Sequence, residues 1–447
     1  MLYTFLTERM QQYPQHVLQE QDTTLTYREL ITEAQQCAKA LTQQKYGILC
    51  KSELNTVKAL LGCFCARKTA VLMSHRYGEI HNQKIIKQMK VSFVITDEGI
   101  QQISQPEEET ENLSDVAVIL STSGTTGMPK GAMITQNNLL SNLQAVEQYF
   151  QIDSADRILI TRPLYHCAVL TGELLTSLCR GLNISFQPGA FRPQTVLRRI
   201  YEDNITVLCG TPTLFHHLYQ SASHRELCLP LKTIAVSGEC MSLTAAQEIR
   251  QLVPQANVYH VYGLTEASPR VSALPPEQFA AHPLSVGFPL SGIEANVCDG
   301  ELLIKGASVM KGYYAAQDAT RRVLKDGWLH TGDMADMDCE GRITILSRKD
   351  DMIIRAGMNV YPAEIENALK TDKRIKDVMV YGVSDAATQK IFCKMVANGL
   401  TKPELLTLCR SVLSPHQIPD QVEFVDSLPR NASGKVVRRM ANERKGI

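Results

Sequence analysis

The sequence predicts an α/β fold: a large N-terminal domain of mostly parallel sheets with helices plus a small antiparallel β region, followed by a small α+β C-terminal domain. Three observations carry this. Short Val- and Ile-rich runs end in polar, Gly-containing loops; segments with helical spacing separate them; and near residue 300 the texture changes to brief strands bounded by glycine. A chain of 447 residues also exceeds the usual reach of one hydrophobic core, so more than one domain is expected.

The runs "VAVILSTSG", "ILITRPLYH", "ITVLCGTPT", "TIAVSGEC" and "VYHVYGLTE" read as strands buried on both faces. Between the first two, Leu139, Leu140, Leu143, Val146 and Phe150 recur at three- and four-residue steps and predict a helix over 137–150. Ligands of such sheets sit beyond the carboxyl ends of the strands, where these polar loops lie. "GELLIKG" and "GRITILS" then predict the antiparallel region. The charged cluster "SRKDD" at 347–351 marks a boundary between residues 1–346 and a C-terminal domain over 351–447. There, "YPAEIENALK" and "KPELLTLCRSVL" predict helices with proline in the first turn, and "DVMVYGV", "IFCKMVA" and "QVEFVD" predict strands.

Composition excludes several classes of function. Lys plus Arg and Asp plus Glu each number 46, so no basic field draws the chain to nucleic acid or anionic lipid. No apolar run approaches the roughly 20 residues of a membrane span. The opening "MLYTFLTERMQQYPQ" lacks a basic stretch followed by a sustained apolar one, so a cytoplasmic protein is expected. The 13 cysteines are scattered through apolar contexts, as suits reduced core thiols. Cys63 and Cys65 form a CxC without a second pair nearby and read as packing, not metal ligation.

The most informative stretch is "STSGTTGMPKG", residues 121–131, directly after a buried strand. Glycines let the backbone turn its N–H groups toward an anion, hydroxyls add donors, and Lys130 adds charge. This is the composition of a phosphate cradle; a plain surface loop would not need that density of donors. It is not the GxxxxGK[ST] loop, because Pro129 and Gly131 stand where glycine and Ser/Thr are required, and no GxGxxG follows a strand.

With "VYGLTE" (261–266), "DGWLHTGD" (326–333), "SRKDDMIIRAGMNVYPAEIE" (347–366), "PRNASGK" (429–435) and the early "LTYREL" (25–30), the stretch resembles the ordered signatures of the adenylate-forming enzymes. That family comprises acyl-CoA synthetases, adenylation domains of peptide synthetases, and luciferases. The resemblance implies a two-step reaction in which a carboxylic acid and ATP give an acyl-adenylate and pyrophosphate, and a thiol then takes the acyl group. Cofactors implied are ATP, Mg2+ and CoA, or a carrier-protein phosphopantetheine in place of CoA.

By that resemblance, Thr122, Ser123, Gly124, Thr125, Thr126, Gly127 and Lys130 hold the β and γ phosphates. Thr265 touches the α-phosphate and Glu266 holds magnesium, although a carboxylate there also suits a helix N-terminus. Tyr262, with Gly263 beside it, stacks on adenine; Asp333 accepts the ribose hydroxyls, and Arg348 supports ribose or phosphate. Lys435, which as a tail residue would ordinarily be solvated, becomes the catalytic cation of the first step. The C-terminal domain becomes a mobile lid turning on a hinge at 347–350, about Asp350, and Gly357 allows close approach of the pantetheine arm; 347–351 also reads as a charged linker.

The acid pocket implied is lined by 165–171, 209–215, 237–240 and 259–267. His166, in "PLYH", stands where amino-acid-activating members carry an aspartate, which argues against an α-amino acid substrate. His166 lines or gates the pocket in this reading, and a satisfied structural histidine is the alternative. Cys167, Ala168, Val169, Cys209, Gly210 and Phe215 predict an apolar pocket for an aryl or aliphatic acid. An acyl- or aryl-CoA ligase is the leading expectation; a stand-alone enzyme that loads an acyl carrier protein shares its first half-reaction. A non-catalytic nucleotide-binding protein is remote, because Lys130, Glu266, Asp333 and Lys435 are all present.

Overall fold

The computed structural model describes residues 1–76, 78–122, 129–187, 189, 191–222, 229–355, 358–385, 388–430, 436 and 438. Among them, two large sheets carry the chain up to residue 289. In the nine-stranded sheet, six neighbouring strands run parallel, from Val17–Glu20 through Asn183–Phe186, Arg157–Ile160, Val207–Gly210 and Thr233–Val236 to Asn257–Gly263. Antiparallel strands close both edges: Thr23–Thr26 on one side, Arg270–Leu274 and Phe288–Pro289 on the other. The seven-stranded sheet has a parallel centre of Val116–Thr122, Thr69–Leu72, Lys45–Ile48 and Phe93–Thr96.

The expected strands are present, and burial on both faces explains their uniform hydrophobicity. In Val207–Gly210, Val207 and Cys209 enter one core while Leu208 enters another, the alternation a pleated strand imposes. The first core joins both large sheets, from Leu6 through Val118 and Ile134 to Ile158 and Leu174. The second packs Val196, Phe215 and Ile249, from helices Pro193–Glu202, Pro212–Ala222 and Leu243–Leu252, against Val236 and Leu208.

The expected helix over 137–150 is Gln136–Tyr149, and it starts at a capping box: Asn138 N–H donates to Thr135 Oγ1 at 3.0 Å and Thr135 N–H donates to Asn138 Oδ1 at 2.8 Å. The antiparallel region is a five-stranded sheet that includes Glu301–Gly306, Trp328–Met337 and Ile343–Arg348. Beyond it, helices Pro362–Leu369 and Lys402–Val412 lie with the three strands Ile375–Asp385, Thr388–Ala397 and Gln421–Phe424. These have their own core of Ile353, Ile365, Val378, Met395 and Leu405. No described helix is long and apolar enough to cross a membrane.

Candidate active site

Val116–Thr122 does not simply end in a loop. It returns as Lys130–Thr135, an antiparallel partner that the sequence reading did not expect, with Thr122 opposite Lys130. Those two residues form the base of the connection; Ser123, Gly124, Thr125, Thr126 and Gly127 lie outside the described residues. Lys130 is half-buried, and its Nζ stands 5.1 Å from the ring centroid of Tyr313, a cation–π distance.

Tyr313 connects this lysine to Glu266. The two-residue strand Gly312–Tyr313 pairs with Met133 and Ala132 on the returning strand, and the Tyr313 hydroxyl donates to Glu266 Oε1 at 2.7 Å. Burial and then the Glu266 charge push the Tyr313 phenol well above its ordinary range, so it stays a donor. The backbone is held as well: Met310 N–H donates to Glu266 O at 2.8 Å, and Asn138 Nδ2 donates to Ala307 O and Val309 O at 2.7 and 2.8 Å. The capping box of one helix therefore fixes the segment that positions the carboxylate.

Asp333 collects a second group. It lies opposite Arg348 in the pairing of Trp328–Met337 with Ile343–Arg348. Arg348 NH1 donates to Asp333 Oδ1 at 2.8 Å and Tyr262 Oη donates to Asp333 Oδ2 at 2.5 Å. Burial, reinforced by Asp333, raises the Tyr262 phenol. Burial works against the Arg348 charge, but Asp333 outweighs it and the guanidinium is held more firmly protonated, with Glu266 contributing in the same direction. The preceding Gly332 takes φ +69° and donates its N–H to Glu301 Oε1 at 3.0 Å, while Glu301 Oε2 receives Lys349 Nζ at 2.7 Å.

Tyr262, Gly263, Thr265 and Glu266 lie on one continuous segment that bridges these groups. Gly263 stands opposite Arg270, and a Cβ built on it would lie 1.9 Å from Pro269 O, so glycine alone permits this close approach. The Thr265 hydroxyl donates to Cys167 Sγ at 3.2 Å, which brings His166 to the same end of the sheet. His166 precedes the short helix Cys167–Val169, and its ring centroid is 4.2 Å from that of Tyr165.

The residues expected in an apolar acid pocket are shared between two cores. Val169 and Cys209 are fully buried in the first core, and Phe215 is fully buried in the second. Charged groups are interleaved with them: Glu173 on the π-helical turn Leu170–Leu175 receives Arg162 NH2 at 2.6 Å, and Arg270 is buried nearby. Sequence reasoning missed Tyr313, Glu301 and this charged group, because none carries a periodic or motif signal. Gly357 and Lys435 lie outside the described residues.

A lysine-bearing hairpin, a carboxylate tethered beside it and a second carboxylate braced by tyrosine and arginine define an enzyme site suited to a polyphosphate and a diol. The chain belongs to the AMP-binding enzyme family: it matches that family over residues 6–113 and 96–314, and the AMP-binding enzyme C-terminal domain over 364–435. It is 34% identical over 343 residues to a long-chain-fatty-acid–CoA ligase of Salmonella typhimurium, covering 73% of this chain and 61% of that relative's length. It is 30% identical to a 2-succinylbenzoate–CoA ligase of Bacillus velezensis, covering 99% of this chain and 98% of the relative. Among solved structures, o-succinylbenzoate CoA synthetase of Bacillus subtilis in complex with its acyl-adenylate intermediate superposes with a TM-score of 0.86 at 27% identity, covering 98% of this chain and 97% of the other. The same enzyme with ATP and magnesium ion gives 0.85 at 28% identity, covering 97% and 98%.

Proposed function

We propose that this chain is an ATP-dependent acid–thiol ligase that converts an aliphatic or aryl carboxylic acid to its CoA thioester, releasing AMP and pyrophosphate. The observation that carries it is the linked set Lys130–Tyr313–Glu266 and Tyr262–Asp333–Arg348, with Arg348 within electrostatic reach of both carboxylates. Its named relatives, all CoA ligases, support CoA as the acceptor over a carrier-protein phosphopantetheine.

A carboxylate and a triphosphate repel each other, so the site must supply positive charge and hold an in-line approach. Thr122 and Lys130 would bind the β and γ phosphates at the base of the hairpin. Glu266 is a hard oxygen donor whose orientation Tyr313 fixes, which suits Mg2+ held by one carboxylate together with phosphate oxygens. Bound there, the ion would neutralise phosphate charge. Asp333 would take the ribose hydroxyls, Arg348 would support the ribose or α-phosphate, and Tyr262 would flank adenine. In the first step an oxygen of the substrate carboxylate bonds to the α-phosphorus and the bond to the β-phosphate oxygen breaks. In the second, the thiolate sulfur bonds to the acyl carbon and AMP leaves.

We assign residues 347–350 as the hinge between 1–346 and 351–447, with Lys435 delivered to the first step and the Gly357 loop to the second. A cytoplasmic location belongs to the same reading, supported by free thiols at the described cysteines. The test is pyrophosphate release from ATP with a panel of aliphatic, aryl and amino acids, with and without CoA. Acid-dependent release with thioester product is expected. No release with any acid would overturn the reading.

A further inference from the structure

Arg270 is 2% exposed, and among the described residues no hydrogen bond or ion pair reaches its side chain; its Nε is buried without a partner. A guanidinium in that position is costly unless something pairs with it. Its backbone is held tightly: Asn142 Nδ2 donates to Arg270 O at 2.7 Å and Arg270 N–H donates to Asn142 Oδ1 at 3.3 Å. The side chain lies against Gly172 of the π-helical turn, where a Cβ would fall 2.3 Å from NH2 and 2.6 Å from Cζ. The absence of a side chain at 172 therefore makes the room that Arg270 occupies.

The neighbouring charges do not cancel it. Glu173 is fully buried and already receives Arg162, leaving Glu173 Oε2 and Arg162 Nε without partners. Burial pushes the Cys209 thiol and the Tyr149 phenol, both within electrostatic reach of Arg270, up to about 12, so each is neutral at pH 7. Two guanidiniums thus share one carboxylate. Arg162 follows the strand Arg157–Ile160, Cys209 lies at the end of Val207–Gly210, and Arg270 stands opposite Gly263 at the end of Asn257–Gly263. The group therefore lies at the carboxyl ends of these strands, with Arg162 and Glu173 flanking His166 and Cys167 along the chain, where a sheet of this kind receives its ligand.

We propose that Arg270 is a specificity-determining residue and that the acid substrate carries a second anionic group, a carboxylate, which Arg270 receives when the first carboxylate faces ATP. The inference rests on the ligase reading above and narrows it. A planar guanidinium fork matches a carboxylate in a bidentate geometry, and the ligand would supply the negative charge the protein lacks there.

The test compares kcat/KM for pyrophosphate release with length-matched acids, octanoate against suberate and 3-phenylpropanoate against its ring-carboxylated analogue, in wild type, Arg270→Met and Arg270→Lys. Wild type is expected to favour the diacids by tenfold or more. Arg270→Met should lower the diacid-to-monoacid ratio at least tenfold, and Arg270→Lys should lower it less. Equal use of both acids by wild type, or a ratio that Arg270→Met leaves in place, overturns the assignment while leaving the ligase reading standing. The wild-type comparison requires no variant to fold. Failure of every acid overturns the ligase reading itself.

Discussion

Asp333 has both carboxylate oxygens engaged, one by Tyr262 and one by Arg348. A ribose diol binding there would share those oxygens, so the pair of donors fixes the carboxylate before the nucleotide arrives. Asp333→Asn keeps the shape but removes the charge that Arg348 faces, at a cost of about 1–3 kcal/mol. The expected outcome is an apparent KM for ATP raised about tenfold to hundredfold, with the KM for the acid far less affected. Initial rates at varied ATP and varied acid separate the two, and an unchanged KM for ATP would remove Asp333 from the nucleotide site. Tyr313 makes a gentler case. Tyr313→Phe deletes one donor to Glu266 and keeps the ring beneath Lys130, a loss of about 0.5–1.5 kcal/mol. The magnesium concentration giving half-maximal rate should rise severalfold; a fall would mean that the tyrosine competes with the ion for the carboxylate.

At the scale of elements, the strand Asn257–Gly263 determines two outcomes. Gly263→Ala places a methyl 1.9 Å from Pro269 O, a backbone atom that cannot turn aside, so the segment from Thr265 to Arg270 must shift. Destabilisation of about 1–3 kcal/mol and loss of pyrophosphate release are expected together, measured by denaturant unfolding and by activity; retained activity would show that the close approach is dispensable. Three residues earlier, His260 is fully buried with Nδ1 unpartnered, and burial lowers it to about 4. Its folded value lies below the unfolded one of about 6.5, so in that window the unfolded chain binds a proton the folded chain refuses. Stability should therefore fall as pH drops from 6.5 toward 4, by at most about 1.4 kcal/mol per pH unit. His260→Leu should flatten that slope; parallel slopes in melting experiments would place the acid sensitivity elsewhere. These elements also show what the sequence could disclose. Double-sided burial writes itself as unbroken Val and Ile, so the parallel strands and the capped helix Gln136–Tyr149 were legible, and glycine-rich loops marked their ends. The two-residue strand carrying Tyr313 and the π-helical turn carrying Gly172 and Glu173 have too little length for any period to emerge. Their contributions depend on contacts across more than forty residues of chain, such as Tyr313 to Glu266 and Arg270 to Gly172, which local pattern does not encode. For the same reason Glu173 and Arg270, which lie among the residues expected to line the acid pocket, left no signal in the sequence.

Across the whole molecule, the segment at 348–349 is tied down on one side: Arg348 to Asp333, and Lys349 to Glu301 at 2.7 Å. Beyond it, Arg438 NH2 donates to both oxygens of Glu366 at 2.8 Å, which ties Arg438 to the helix Pro362–Leu369. The C-terminal core of Ile353, Ile365, Val378 and Met395 is separate from the cores of the large sheets. An anchored segment between independent cores is the arrangement a hinge requires, because rotation there costs few buried contacts. If the hinge proposal holds, Lys435 serves one half-reaction only. Lys435→Ala should then lower acid-dependent pyrophosphate exchange by a hundredfold or more, as expected for removing a charge aimed at the developing phosphate charge. Thioester formation from a supplied acyl-adenylate should stay within about threefold of wild type, since no triphosphate remains to be neutralised in that step. The two assays on one preparation share folding and concentration as controls. Equal loss in both would mean that the lysine, and with it the C-terminal domain, keeps a single position through the cycle.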